Sequence, residues 1–76
     1  MMLNDLPYPD WHEGLTIQGV IEHMNYTWPK LVTKVNGQLV WPEDYGNVVL
    51  QENDDLKIHH LLLIIFLYFL IIMFHL

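Results

Sequence analysis

Apolar and polar residues alternate most regularly over residues 31–41, on either side of an Asn36-Gly37 pair. Every second residue from Leu31 to Val35 would face the same side of a strand, and the alternation resumes at Gln38. Asn-Gly is favoured at the centre of a type I′ turn, because both central residues there adopt positive φ. The pattern therefore predicts a β-hairpin with its turn at Asn36-Gly37.

A helical pattern follows Thr16. Ile17, Val20, Ile21 and Met24 recur at the i, i+3, i+4, i+7 spacing that places apolar residues on one stripe of a helix. Thr16 immediately precedes this stripe, and its hydroxyl can accept a hydrogen bond from the first turn. We therefore expect a helix over residues 17–24.

The remaining strands are predicted at the two ends of this region. Asn4-Asp5 can turn a hairpin between two short strands, and the prolines at positions 7 and 9 would confine the second strand to an edge. A further turn at residues 53–55 precedes a last strand that begins at Leu56.

The order strand, strand, helix, strand, strand, short connection, strand is typical of an α+β domain. It matches the β-grasp, or ubiquitin-like, roll, in which one helix packs on a mixed sheet and the last strand runs parallel to the first. We assign residues 1–62 to this domain and residues 63–76 to a hydrophobic C-terminal extension.

Composition excludes several functional classes. The 76 residues include three lysines, no arginine and nine acidic residues, giving a formal net charge of −6, so nucleic-acid binding is not expected. There is no cysteine, which excludes thiol catalysis, disulfides and cysteine metal sites. His59 and His60 would point to opposite faces of a strand, and no catalytic spacing is present. We therefore expect no enzymatic activity, no cofactor and no metal site.

Five short segments together suggest a family. They are Leu3-Asn4-Asp5 at the first turn, Gly14-Leu15-Thr16 before the helix, Val35-Asn36-Gly37 at the hairpin, residues 40–45 (VWPEDY), and Leu50 with Asn53-Asp54-Asp55. In this order and spacing, over residues 3 to 62, the chain resembles the small sulfur-carrier proteins of thiamine biosynthesis (ThiS). It resembles their relatives, the small subunits of molybdopterin synthase (MoaD), in the same way.

The resemblance implies a carrier in the cytoplasm rather than an enzyme. In the family, an adenylating enzyme of the ThiF or MoeB type uses ATP to adenylate the carboxylate of a C-terminal Gly-Gly. The adenylate is then converted to a thiocarboxylate, which supplies sulfur to thiazole synthase. These two enzymes are the partners expected here. We predict contact on a sheet face that includes Val32, Val40 and Ile58, with the acidic protein docking on a basic patch.

The chain departs from the family at its C-terminal end. The Gly-Gly pair would fall near Ile64, Ile65 and Phe66, yet no glycine follows Gly46. Glycine suits a narrow active-site channel because it has no Cβ. We therefore expect this sequence, as it stands, to be inactive in sulfur transfer.

Residues 61–76 leave three interpretations open, because positions 61–74 are all apolar or Tyr. They could form a membrane anchor, although a helix of that length spans only about 20 Å of a 30 Å hydrocarbon core. They could instead form an apolar helix over the sheet or an oligomer interface. They could also be the product of a shifted reading frame, since their residue types have AT-rich codons. The alternative function is accordingly a small membrane-anchored or interaction protein that retains the fold, associated with a membrane if the segment is genuine.

Overall fold

The structure, a computed structural model, describes residues 1–27 and 30–74, apart from the side chains of residues 61–64 and 66. Its strands and helices are β1 (Met2–Leu3), β2 (Leu6–Pro7), α1 (Ile17–His23), β3 (Leu31–Val35), β4 (Gln38–Val40), β5 (Asp55–His60) and α2 (Leu61–Phe74). A 3-10 turn, Pro42–Asp44, follows β4.

The five strands form one mixed sheet in the order β2-β1-β5-β3-β4. β5 runs parallel to β1 and antiparallel to β3, while both hairpins are antiparallel. The last strand in the sequence therefore runs parallel to the first, as predicted, and lies in the centre of the sheet. The α+β β-grasp architecture is confirmed.

Both predicted hairpin turns have the same backbone geometry. In the β3–β4 hairpin, Asn36 has φ +51° and Gly37 has φ +84°. In the β1–β2 hairpin, Asn4 and Asp5 have φ +51° and +69°. Positive φ at both central residues is the requirement of a type I′ turn, whose twist matches that of the paired strands.

Helix α1 begins where its capping residue predicts. The Thr16 hydroxyl accepts a hydrogen bond from the Gly19 N–H at 3.1 Å, which satisfies one of the unpaired donors of the first turn. Ile17 and Val20 are fully buried, whereas Met24, just past the last helical residue, is exposed. The helix is therefore one residue shorter than predicted.

The hydrophobic core lies between α1 and one face of the sheet, and loop residues close it. Its members are Leu3, Tyr8, Leu15, Ile17, Val20, Ile21, Tyr45, Leu50, Leu56 and Ile58. All precede α2. Thr33 is also fully buried, and its hydroxyl donates a hydrogen bond to Tyr45 Oη at 2.9 Å.

Helix α2 follows β5 without a connecting loop. The described side chains of this helix, Ile65 and residues 67–74, are all exposed. Among residues 1–27 and 30–74, no helix has both the length and the apolar character required to cross a membrane.

Candidate functional site

The strand register separates the sheet into a core face and an outer face. Thr33 lies opposite both Ile58 on β5 and Val40 on β4, so these three residues share one face. Thr33 and Ile58 are buried, which identifies this face as the core side. Val32 lies opposite His59 and points the other way, because successive strand residues alternate between faces.

The grouping of Val32, Val40 and Ile58 on one partner-binding face is therefore wrong. Ile58 is 2% exposed, and Val40 packs against the core from its edge. Of these three residues, only Val32 lies on the outer face. The alternation within each strand was predictable, but the register between strands decides which residues share a face, and hydrophobicity alone does not specify it.

The outer face combines apolar and basic side chains. Lys34 on β3 lies opposite Lys57 on β5 and Leu39 on β4, and Val32 with His59 forms the next row. Leu39 is 47% exposed. Two of the three lysines in a chain of net charge −6 are thus neighbours on this face. This surface carries lysines although the chain as a whole is acidic. A partner that docks on it would therefore not need a basic patch.

Asp5 partly offsets the repulsion expected between two lysines that face each other across strands. Its Oδ1 lies 3.4 Å from Lys57 Nζ. Asp5 is held there because the Asn4 side chain pairs with the backbone of Ile58: Oδ1 accepts from the Ile58 N–H at 2.9 Å and Nδ2 donates to its carbonyl at 3.1 Å. The first turn is thereby fastened beside β5.

Asn36 fastens the second turn to the start of the same strand. Its Oδ1 accepts from the Asp55 N–H at 2.9 Å, and its Nδ2 donates to Asp54 Oδ1 at the same distance. Asn36 therefore supplies both the positive φ of the turn and a link to the residues that begin β5. The sequence pattern predicts only the turn.

The position expected for Gly-Gly lies inside α2. Ile64, Ile65 and Phe66 have helical backbones, and Ile65 is 54% exposed. The side chains of Ile64 and Phe66 lie outside the described residues, as do residues 75 and 76 of the predicted extension. An α-helix rises 1.5 Å per residue against about 3.3 Å for an extended chain, so this segment does not form an extended tail after β5.

A cluster of polar side chains formed by Tyr8, Asp10 and His23 was not predicted from the sequence. Tyr8 Oη lies 2.5 Å from His23 Nδ1, and His23 Nε2 lies 3.6 Å from Asp10 Oδ2. The Tyr8 and His23 rings pack edge to face with centroids 5.6 Å apart. The three residues border a cavity of about 400 Å³ between the 8–16 segment and α1. No sequence spacing indicates this cluster, because the fold brings together residues 15 positions apart.

This cluster has a structural role, because it links two parts of the domain. Burial raises the pKa of the Tyr8 phenol, and the charges of Asp10 and Tyr26 raise it further. The phenol consequently keeps its proton at neutral pH and can donate a hydrogen bond to Nδ1 of His23. His23 is the last residue of α1. This contact ties the segment after β2 to the end of the helix.

Metal-binding groups do not converge in the part of the chain that the structure describes. No three His, Asp or Glu side chains among residues 1–27 and 30–74 come close enough together to hold an ion. His59 lies on the outer face, and His60 pairs with Leu31 on the opposite face.

Comparison with solved structures places this architecture in a known class. The chain has a β-grasp fold similar to that of a thiamine biosynthesis protein, ThiS, from Geobacter metallireducens. The match covers 78% of this chain and 88% of that one, with a TM-score of 0.68 and 13% sequence identity. No protein-family model matches the chain, and no curated protein matches it significantly. At this identity the likeness establishes the fold.

Proposed function

We propose that this chain is a sulfur-carrier-like β-grasp protein that binds partner enzymes but does not itself carry sulfur. It would act as a binding protein rather than an enzyme. Its partners would be an adenylating enzyme of the ThiF or MoeB type and thiazole synthase, in the cytoplasm. The likeness to ThiS supports the carrier-like part of the proposal.

One observation carries the second part, the loss of carrier chemistry. β5 passes directly into α2 at Leu61, so residues 64–66 are helical and have side chains where the family has Gly-Gly. Their carbonyl groups are in peptide bonds and offer no carboxylate for adenylation. A Cβ at each position also widens a segment that must enter a narrow channel.

The test compares the full chain with a variant in which the carrier terminus is rebuilt. The variant ends at residue 66 and carries Ile65→Gly and Phe66→Gly; its matched control ends at the same residue without these substitutions. Each protein is incubated with a ThiF-like enzyme, ATP and a sulfur donor, and intact mass spectrometry then detects replacement of a carboxylate oxygen by sulfur.

We expect the rebuilt variant to acquire a thiocarboxylate, and the full chain and the matched control to remain unmodified. A thiocarboxylate on the full chain would refute the loss of carrier chemistry. If the rebuilt variant also stays unmodified, the adenylating enzyme does not recognise this domain, and the proposed partner is wrong.

Docking can be tested separately from chemistry. The full chain should inhibit thiocarboxylation of ThiS by the adenylating enzyme, since both proteins would occupy the same surface. Lys34→Glu, on the outer face, should weaken this inhibition, whereas the matched Lys30→Glu, before β3 begins, should weaken it less. Equal inhibition by both variants would exclude the outer face as the contact surface.

A further inference from the structure

Helix α2 is apolar around its whole circumference. Its 14 residues include no charged side chain, and Tyr68 alone contributes a side-chain polar atom. The exposed residues 67–74 cover more than two helical turns, so apolar side chains point in every direction from the axis. A helix that is apolar all round is normally buried on all sides.

A second copy of the chain would not provide such burial. A helix of 14 residues is about 21 Å long and about 12 Å wide, which gives a lateral surface of roughly 800 Å². Pairing with one other helix covers roughly a third of that surface, far below the approximately 800 Å² per partner of a stable interface. The rest of the apolar surface would still face water.

Lipid can surround the helix completely. We propose that α2 inserts into the hydrocarbon region of a lipid bilayer from one side, without crossing it, and holds the β-grasp domain at the water-facing surface. Its length of about 21 Å exceeds half of a 30 Å hydrocarbon core but does not span it. The direct passage from β5 into α2 would keep the domain close to the headgroups.

The charge of the chain specifies which lipid it should prefer. A formal net charge of −6 is repelled by an anionic surface, so zwitterionic phosphatidylcholine is the favourable surface. Salt screens this repulsion. Insertion into phosphatidylcholine should therefore be insensitive to salt, whereas binding to vesicles that contain phosphatidylserine should increase as salt is added. Electrostatic adsorption would show the opposite salt dependence.

Vesicle flotation of the full chain tests the proposal. Leu67→Glu with Ile71→Glu adds two charges one turn apart on α2. The matched control, Leu6→Glu with Leu39→Glu, adds the same two charges at exposed strand positions of the domain. We expect the α2 variant to lose at least tenfold in partition to phosphatidylcholine vesicles and the control to retain it.

A second measurement does not depend on flotation of a charged variant. Tyr68→Trp places a fluorophore on α2, and phosphatidylcholine brominated on its acyl chains quenches tryptophan that enters the hydrocarbon. We expect stronger quenching in this variant than in the unsubstituted chain, whose tryptophans all precede α2.

Three results would overturn the proposal. The first is failure of the full chain to float with phosphatidylcholine vesicles. The second is equal partitioning of the α2 variant and its control. The third is quenching of Tyr68→Trp no stronger than that of the unsubstituted chain. An oligomer in sedimentation, together with any of these results, would assign α2 to self-association. None of them bears on docking to the adenylating enzyme.

Discussion

At the scale of single residues, buried hydroxyl groups illustrate how polar atoms are accommodated in a small core. Thr33 is fully buried on the core face of β3, where an unpaired hydroxyl would be costly. It donates to Tyr45 Oη at 2.9 Å, and Tyr45 Oη is in turn 3.5 Å from the Leu31 carbonyl. The connection after β4 is thus anchored to the centre of the sheet.

The Thr33–Tyr45 hydrogen bond predicts a non-additive pair of substitutions. Tyr45→Phe leaves the buried Thr33 hydroxyl without its acceptor and should lower the unfolding free energy by about 1–3 kcal/mol. Thr33→Val should cost about 1 kcal/mol, and the double variant should cost less than the sum, because no unpaired hydroxyl remains on Thr33. Urea unfolding of the four proteins measures this coupling, and simple additivity would contradict it.

Tyr8 predicts how stability depends on alkaline pH. Burial raises the pKa of its phenol in the folded state above the ordinary value near 10. The folded state then holds this proton more tightly than the unfolded state does. The stability from Tyr8 is therefore fully present below pH 10 and is lost as the pH rises through the raised folded pKa.

Urea unfolding at several pH values on either side of about pH 10 measures this loss of stability. Tyr8→Phe should flatten the decline in stability above pH 10, because it removes the titrating phenol. Tyr68→Phe removes the same group from an exposed position on α2 and should retain the decline. Equal slopes for Tyr8→Phe and the unsubstituted chain would contradict the role of burial at Tyr8.

At the scale of secondary-structure elements, the β3–β4 hairpin depends on its turn. Gly37 has φ +84°, and a Cβ at this position would meet no atom within 4 Å. The expected cost of a side chain there is therefore backbone strain rather than a steric clash. Gly46 is equally open but does not have a positive φ of this kind, so it provides a matched control.

We predict that Gly37→Ala lowers the unfolding free energy by about 1 kcal/mol, since Ala is disfavoured at this φ. Gly46→Ala should leave it within about 0.5 kcal/mol. Chemical denaturation followed by tryptophan fluorescence measures both values. Similar values for the two variants would argue against a strained type I′ turn at Asn36-Gly37.

At the scale of the whole molecule, the domain and α2 are two regions of different character. Among the described side chains, the buried core residues lie between Leu3 and Ile58, and those of α2 are exposed. The folded domain should therefore not depend on the apolar helix.

Removal of residues 61–76 provides a direct test. We predict that the shortened chain keeps its cooperative unfolding transition, with an unfolding free energy within about 1 kcal/mol of the full chain. Circular dichroism should show the loss of helix and retention of the sheet. An unfolded product would mean that α2 contributes to the core, and it would also invalidate the rebuilt carrier variant as a test of chemistry.

Features that depend only on neighbouring residues were predictable from the amino-acid sequence. Positive φ at Asn4-Asp5 and Asn36-Gly37 follows from turn chemistry, and the start of α1 follows from the Thr16 cap and the helical stripe behind it. The element order then sufficed to predict the β-grasp architecture. The absence of glycine after Gly46 is likewise evident from the sequence.

Contacts between residues distant in the sequence were not predictable in this way, because they depend on the folded arrangement. The register of β3 against β5 buried Ile58, moved Val32 to the opposite face and placed Lys34 beside Lys57. The fold also brought Tyr8 to His23 across 15 positions. The physical reason is that periodicity reports the direction of a side chain relative to its own strand or helix. Its neighbours across the sheet and the core depend on how separate strands and helices pack, which no local pattern encodes.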